Sequence, residues 1–141
     1  MKSILVLNGP NLGMLGAREP EVYGDLNLEH LKKQIADWAT ADQHVEVRQT
    51  DSESMMIEWV HEAFNNKTDV IINPAAFTHY SYALRDAVAM LEGVVKVVEV
   101  HISNPHRREK FRHTSVISSV ANGVIAGFGL ESYRLALNAL T

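Results

Sequence analysis

Three short apolar runs, each broken off abruptly by small polar residues, constrain this chain more than any other feature. Ile4-Leu5-Val6-Leu7 runs into Asn8-Gly9-Pro10-Asn11, and Val70-Ile71-Ile72 into Asn73-Pro74-Ala75-Ala76. The run that starts at Gly93 ends in Glu99-Val100-His101-Ile102-Ser103-Asn104. Continuous apolar runs of this length read as strands buried on both faces. The spacing predicts strands over residues 2–7, 44–49, 69–72, 94–100 and 123–127. Helical periodicity fills the intervals. Asn27 serves as N-cap for a helix whose Leu28, Leu31, Ile35 and Trp38 share a face, and Asp51 or Ser52 caps a second carrying Met56, Trp59, Val60, Ala63 and Phe64. Ala83, Leu84, Ala87, Val88 and Leu91 make a third that stops at Gly93, and residues 130–140 close the chain as a helix.

Strands alternating with helices imply a parallel sheet with helices on both faces and right-handed crossovers. Five strands fit a flavodoxin-like α/β order, a three-layer sandwich with a five-stranded parallel sheet, better than a closed barrel. No linker or compositional shift divides the chain, so residues 1–141 are expected to form a single domain. In such sheets the ligand crevice lies outside the carboxyl ends of the strands, where all three polar breaks fall. Residues 9–25, with four glycines and two prolines, read as a long loop of the kind that closes over a site.

Composition excludes several classes. At 46% hydrophobic and 21% charged residues, the chain matches an ordinary globular protein. The absence of cysteine removes disulfides, a thiolate nucleophile and a cysteine-based zinc site. A net charge of −4 argues against nucleic acid as the main partner. The start turns polar at Asn8 before a signal-peptide core forms, and the expected location is cytoplasmic.

Read together, the polar segments resemble one known family. Leu7-Asn8-Gly9-Pro10-Asn11-Leu12, Gly16-Ala17-Arg18-Glu19-Pro20 and Val22-Tyr23-Gly24 are similar to the amino-terminal signature of the type II 3-dehydroquinate dehydratases. Gln49-Thr50-Asp51-Ser52-Glu53, Asn73 through His79, Ala83-Leu84-Arg85-Asp86-Ala87, Glu99 through Asn104, Arg108-Glu109 and Phe111-Arg112-His113 continue it in order over nearly the whole chain. The resemblance implies dehydration of 3-dehydroquinate to 3-dehydroshikimate without metal or cofactor, in the shikimate or the quinate pathway. It also implies a homo-oligomer, a dodecamer of four trimers.

The residues suit that chemistry. Removing water from a β-hydroxy ketone needs a base, a stabiliser for the enolate and an acid for the departing hydroxyl. The resemblance assigns the base to Tyr23, with Arg18 as the cation that favours its phenolate. It gives the acid to His101, whose ordinary pKa lies near operating pH. Glu99 stands two residues earlier and so on the same face of a strand; it holds the imidazole. Asn11 positions a water against the enolate oxygen. Asn73, His79, Asp86, Arg112 and the backbone of Ile102 and Ser103 hold the substrate's hydroxyls and carboxylate, and Arg112 has the forked donors a carboxylate matches. The aspartate position also approaches a neighbouring subunit's site in that family.

Taken alone, Tyr23 and Arg18 read as a surface aromatic and a solvated charge, Glu99 and His101 as a structural pair, and Asp86 and Arg112 as surface charges. Asn8 and Asn11 equally suit turns around Gly9-Pro10, the reading preferred for Asn8. Ala75-Ala76 stands where a glycine is frequent in the family, and Tyr80 and Tyr82 replace smaller residues. Seven histidines invite a metal site, but His101, His106 and His113 lack the spacing of a zinc helix. The remaining alternative is a binding-only relative on the same fold.

Overall fold

Hydrogen-bonded pairing turns the apolar runs into one parallel sheet. The computed structural model describes residues 1–15 and 27–141. Its strands are β1 (Lys2–Asn8), β2 (Gln43–Gln49), β3 (Asp69–Asn73), β4 (Val97–His101) and β5 (Gly123–Ala126). They pair in the order β2-β1-β3-β4-β5, all parallel. The helices are α1 (Leu28–Trp38), α2 (Glu53–Asn66), α3 (Tyr82–Ala89) and α4 (Glu131–Ala139). This is the flavodoxin-like α/β arrangement the sequence predicts.

The two-residue period of the strands divides the core into two layers. Ile4, Val6, Ile71, Val98 and Val100 pack with Leu31 and Ile35 of α1 and with Tyr133, Ala136 and Leu137 of α4. Leu5, Leu7, Val70, Ile72 and Val97 pack on the other face with Met56, Val60 and Ala63 of α2 and Leu84, Ala87 and Val88 of α3. Truncating a fully buried leucine such as Leu84 to alanine costs about 2–5 kcal/mol in sites of this kind.

Side-chain caps start the helices where expected. Asn27 Oδ1 accepts from His30 N at 2.8 Å, and Ser52 Oγ accepts from Met55 N at 3.2 Å. Ser52, not Asp51, therefore caps α2. Asp51 Oδ1 instead accepts from the backbone N–H of Asn11 at 2.8 Å, anchoring the root of the first loop.

Three expectations are corrected. The fourth strand starts at Val97, not residue 94, because the amides of Val94 and Val95 donate to the Leu91 carbonyl in a turn and leave no ladder bond to make. Phe64 and Ala83 fall on outer helix faces; their apolar character follows the helical period without contributing to the core. Asn8 is no turn former. It ends β1 fully buried, donates from Nδ2 to the Arg48 carbonyl at 3.1 Å and accepts from the Tyr133 hydroxyl at 2.7 Å.

Beyond the strand ends, two loops meet backbone to backbone. Gly9 N donates to the Asn73 carbonyl at 2.8 Å. A Cβ on Gly9 would lie 2.5 Å from the Pro74 carbonyl oxygen, so only glycine fits.

Candidate active site

The sheet order reverses direction between β1 and β3, the place where ligand crevices form in such folds. A pocket opens there at the carboxyl ends, offering about 590 Å³ of space out to its mouth. Its walls come from three loops. Asn11 and Leu12 follow β1, Asn73 ends β3 with Ala75, Ala76 and His79 after it, and His101 ends β4 with Ile102 and Ser103 after it, while Arg108 and Arg112 complete the lining. Of the residues expected at the site, Asn11, Asn73, His79, His101, Ile102, Ser103 and Arg112 meet around this space. Arg18 and Tyr23 lie outside the described residues. Asp86 does not line the pocket; it sits on α3 with its side chain 75% exposed, 3.1 Å from Arg85 Nη1.

Glu99 and His101 stand on the same face of β4, as the strand period requires. His101 Nε2 lies 2.5 Å from Glu99 Oε2. Glu99 is 1% exposed. Burial pushes its pKa up, but the His101 bond and charge and the hydroxyls of Ser118 and Ser115 outweigh that, and the net direction is down. The carboxylate thus stays ionised at neutral pH, an acceptor held against the His101 ring. With Nε2 committed to Glu99, Nδ1 is the ring nitrogen left for a bound molecule.

Burial, partly opposed by the bond to Thr114, lowers the pKa of His79, so it is neutral at pH 7. Its Nδ1 lies 2.8 Å from the Thr114 carbonyl. A carbonyl only accepts, so Nδ1 carries the proton and Nε2 offers a lone pair suited to a hydroxyl donor. The Arg112 guanidinium lies 4.6 Å over the Phe111 ring and donates from Nε to Glu109 Oε2 at 3.1 Å. Arg108 donates from Nη1 to Ser103 Oγ at 3.1 Å. Arg108 and Arg112 thus bring forked donors, of the kind a carboxylate matches, to the pocket lining, with Glu109 facing both.

Asn73 occupies a more constrained place than its sequence position suggests. Its Nδ2 donates to the Tyr133 hydroxyl at 2.9 Å, and its Oδ1 accepts from Ala75 N at 3.1 Å. Asn11 has φ +69°, which fits the turn-forming reading, while its place on the pocket wall fits the other. Ala75 also adopts a left-handed φ of +53°. Glycine would adopt that conformation without strain.

Sequence reasoning missed Tyr133, Ser115 and Ser118 as neighbours of the site. Tyr133 lies in an apolar helical repeat and the serines in a polar loop, and nothing local distinguishes them. Arg108 was visible only as part of a matching block.

Together the fold and pocket define a doubly wound α/β protein with an arginine-flanked pocket and a buried glutamate–histidine pair at the switch point. The chain belongs to the class II dehydroquinase family, whose profile, described as "Dehydroquinase class II", matches residues 2–141. A 3-dehydroquinate dehydratase of Halalkalibacterium halodurans is 49% identical over 99% of this chain and 96% of its own. 3-dehydroquinate dehydratase 2 of Pseudomonas aeruginosa is 51% identical over 96% and 91%. Among solved structures, type II dehydroquinase from Propionibacterium acnes superposes with a TM-score of 0.95 at 50% identity, covering 99% of this chain and 96% of that one. The enzyme from Butyrivibrio crossotus also gives 0.95, at 46% identity over 99% and 97%.

Proposed function

We propose that this dehydroquinase, a hydro-lyase that converts 3-dehydroquinate to 3-dehydroshikimate and water, works by anti elimination through an enolate. The Tyr23 phenolate, favoured by Arg18, takes the proton beside the ketone. The enolate persists against a water held by Asn11. His101, oriented by Glu99, then protonates the departing hydroxyl, so that water leaves and the enone remains. Arg112, assisted by Arg108, holds the substrate carboxylate. Asn73, His79 and the backbone of Ile102 and Ser103 receive the hydroxyls. The observation that carries this reading is the buried Glu99–His101 pair at the wall of an arginine-flanked pocket.

The same reading makes residues 1–141 one catalytic domain that uses no metal or cofactor, acting in the shikimate route or in quinate breakdown. Among the described residues no helix is long and apolar enough to cross a membrane, which agrees with a cytoplasmic setting. Four trimers forming a dodecamer would give the outward-facing Asp86 a role, at the pocket of a neighbouring subunit.

The test is ultraviolet detection of the conjugated enone from 3-dehydroquinate, with chelator and borohydride controls. Turnover indifferent to both is expected, and Tyr23→Phe should abolish it while leaving the fold intact. Near-normal turnover in that variant would remove Tyr23 as base. Substrate binding without turnover by the unaltered chain would point to a binding-only relative.

A further inference from the structure

Glu99 is almost wholly shut away from water, where an isolated carboxylate would take up a proton. Its immediate surroundings are hydroxyls. Ser118 Oγ donates to Glu99 Oε1 at 2.6 Å. Ser115 Oγ lies 3.2 Å from Oε1 and 3.1 Å from Oε2, and Thr78 Oγ1 reaches Oε2 at a long 3.4 Å. The orientation of Ser115 is forced. Its oxygen accepts the backbone N–H groups of Ile117 at 3.1 Å and Ser118 at 3.0 Å. A serine hydroxyl has two acceptor positions and one proton. With both positions occupied, the proton has only the carboxylate to meet. The backbone amides of Ile117 and Ser118 therefore aim the Ser115 hydroxyl, a fixed dipole, at the carboxylate charge, an arrangement that costs no reorganisation when the charge is used.

We propose that Ser115, with Ser118 as second donor, is a positioning residue for the dehydration, holding Glu99 as a carboxylate so that the proton they share rests on His101, ready for delivery. The proposal relies on His101 as proton donor, the reading given above. The direction of the Glu99 shift agrees, with both serines among its lowering causes. Other charged or titratable groups face the pair from the packed turns. His79 comes from the turn after β3, His106 from Pro105–Arg107, and Arg112 and His113 from Lys110–His113. The serine donors act in addition to the field of these groups.

Withdrawing a donor makes the carboxylate more basic, so the pair holds its protons more tightly and the shared proton moves toward Glu99. In Ser115→Ala the apparent pKa of the pair should rise by roughly one unit, the size set by one hydrogen bond to a buried charge. Nitrogen NMR shifts of the His101 ring at neutral pH should move toward those of a neutral imidazole. The kcat should fall several-fold with KM nearly unchanged, and Ser115→Thr, which keeps the hydroxyl, should restore all three. Ser118→Ala, altering a separate donor, should move the pair in the same direction and covers the case of a Ser115 variant that fails to fold. Unmoved ring shifts and an unmoved pH profile in a folded variant would overturn the proposal. Moved ring shifts with unchanged turnover would instead remove His101 as proton donor while leaving the serine cradle in place.

Discussion

Two buried polar networks stand at the carboxyl edge of the same sheet, on opposite faces, and they are built for different purposes. On the α1/α4 face, Asn8, Tyr133 and Asn73 form a neutral chain of hydrogen bonds of 2.7 and 2.9 Å. Burial pushes the Tyr133 phenol far up, opposed by its bond to Asn73, so this network is neutral around pH 7. On the α2/α3 face, Glu99, His101, Ser115 and Ser118 surround one ionisable pair. The first network fixes a shape; the second surrounds the pair proposed above to deliver a proton. Both are fully satisfied: among the described residues no buried side-chain nitrogen or oxygen lacks a partner, as buried polar groups require.

The contrast is sharpest in turnover. His101→Ala should lower kcat by roughly 10²–10⁴-fold, the usual range for losing a general acid, with an unchanged circular dichroism spectrum. A loss under tenfold in the enone assay would place the proton donor elsewhere. Tyr133→Phe should do the reverse. It strands Asn8 Oδ1 and one Asn73 proton in the interior at a cost of about 1–3 kcal/mol, read as a lower urea midpoint, and it should leave the pH profile where it was.

The two networks should also part company on acidification. Glu99 has a folded pKa below its ordinary value of 4.5, so its contribution to stability is present above that value. It disappears as pH falls through the lower folded-state pKa. Denaturation midpoints of the parent and of Glu99→Gln should therefore draw together below about pH 4.5, whereas the Tyr133→Phe difference should persist. The smallest effect is expected at Ala75, which abuts the neutral network through its bond to Asn73. Relief of the left-handed φ is worth roughly 1–2 kcal/mol and the added freedom of glycine takes back about 0.4–1. Ala75→Gly should raise the melting temperature slightly; a drop would mean that the alanine methyl contributes packing that outweighs its strain.

How legible each network is in the sequence follows from the distance over which it forms. β1 and β3 are continuous apolar runs, and the Glu99–His101 pair is separated by two residues, so the strand period alone puts both on one face. The loop blocks that flank the pocket are contiguous stretches. Ser115 meets Glu99 across 16 positions and Tyr133 meets Asn8 across 125, and no local pattern announces either contact. Residues 94–95 failed in another way. Valines in a turn and valines in a strand look alike until the backbone hydrogen bonds are assigned, and here Leu91 takes them. Phe64 shows the complementary limit, since helical spacing places it near the buried stripe and only the neighbouring elements decide that it stays outside.

The glycine contact between the first and third loops has a further consequence. Because Gly9 touches the Pro74 carbonyl with no room for a methyl group, the walls carrying Asn11 and Asn73 are welded into a single jaw. The opposite jaw, with Arg108 and Arg112, rides on short turns instead. Ligands that differ on the side facing the glycine-locked jaw must fit it as it stands, so discrimination between close analogues should be strict there and forgiving on the arginine side. An inhibitor series elaborated toward the arginines should therefore gain affinity where the same groups, placed against Asn11 and Asn73, would be refused.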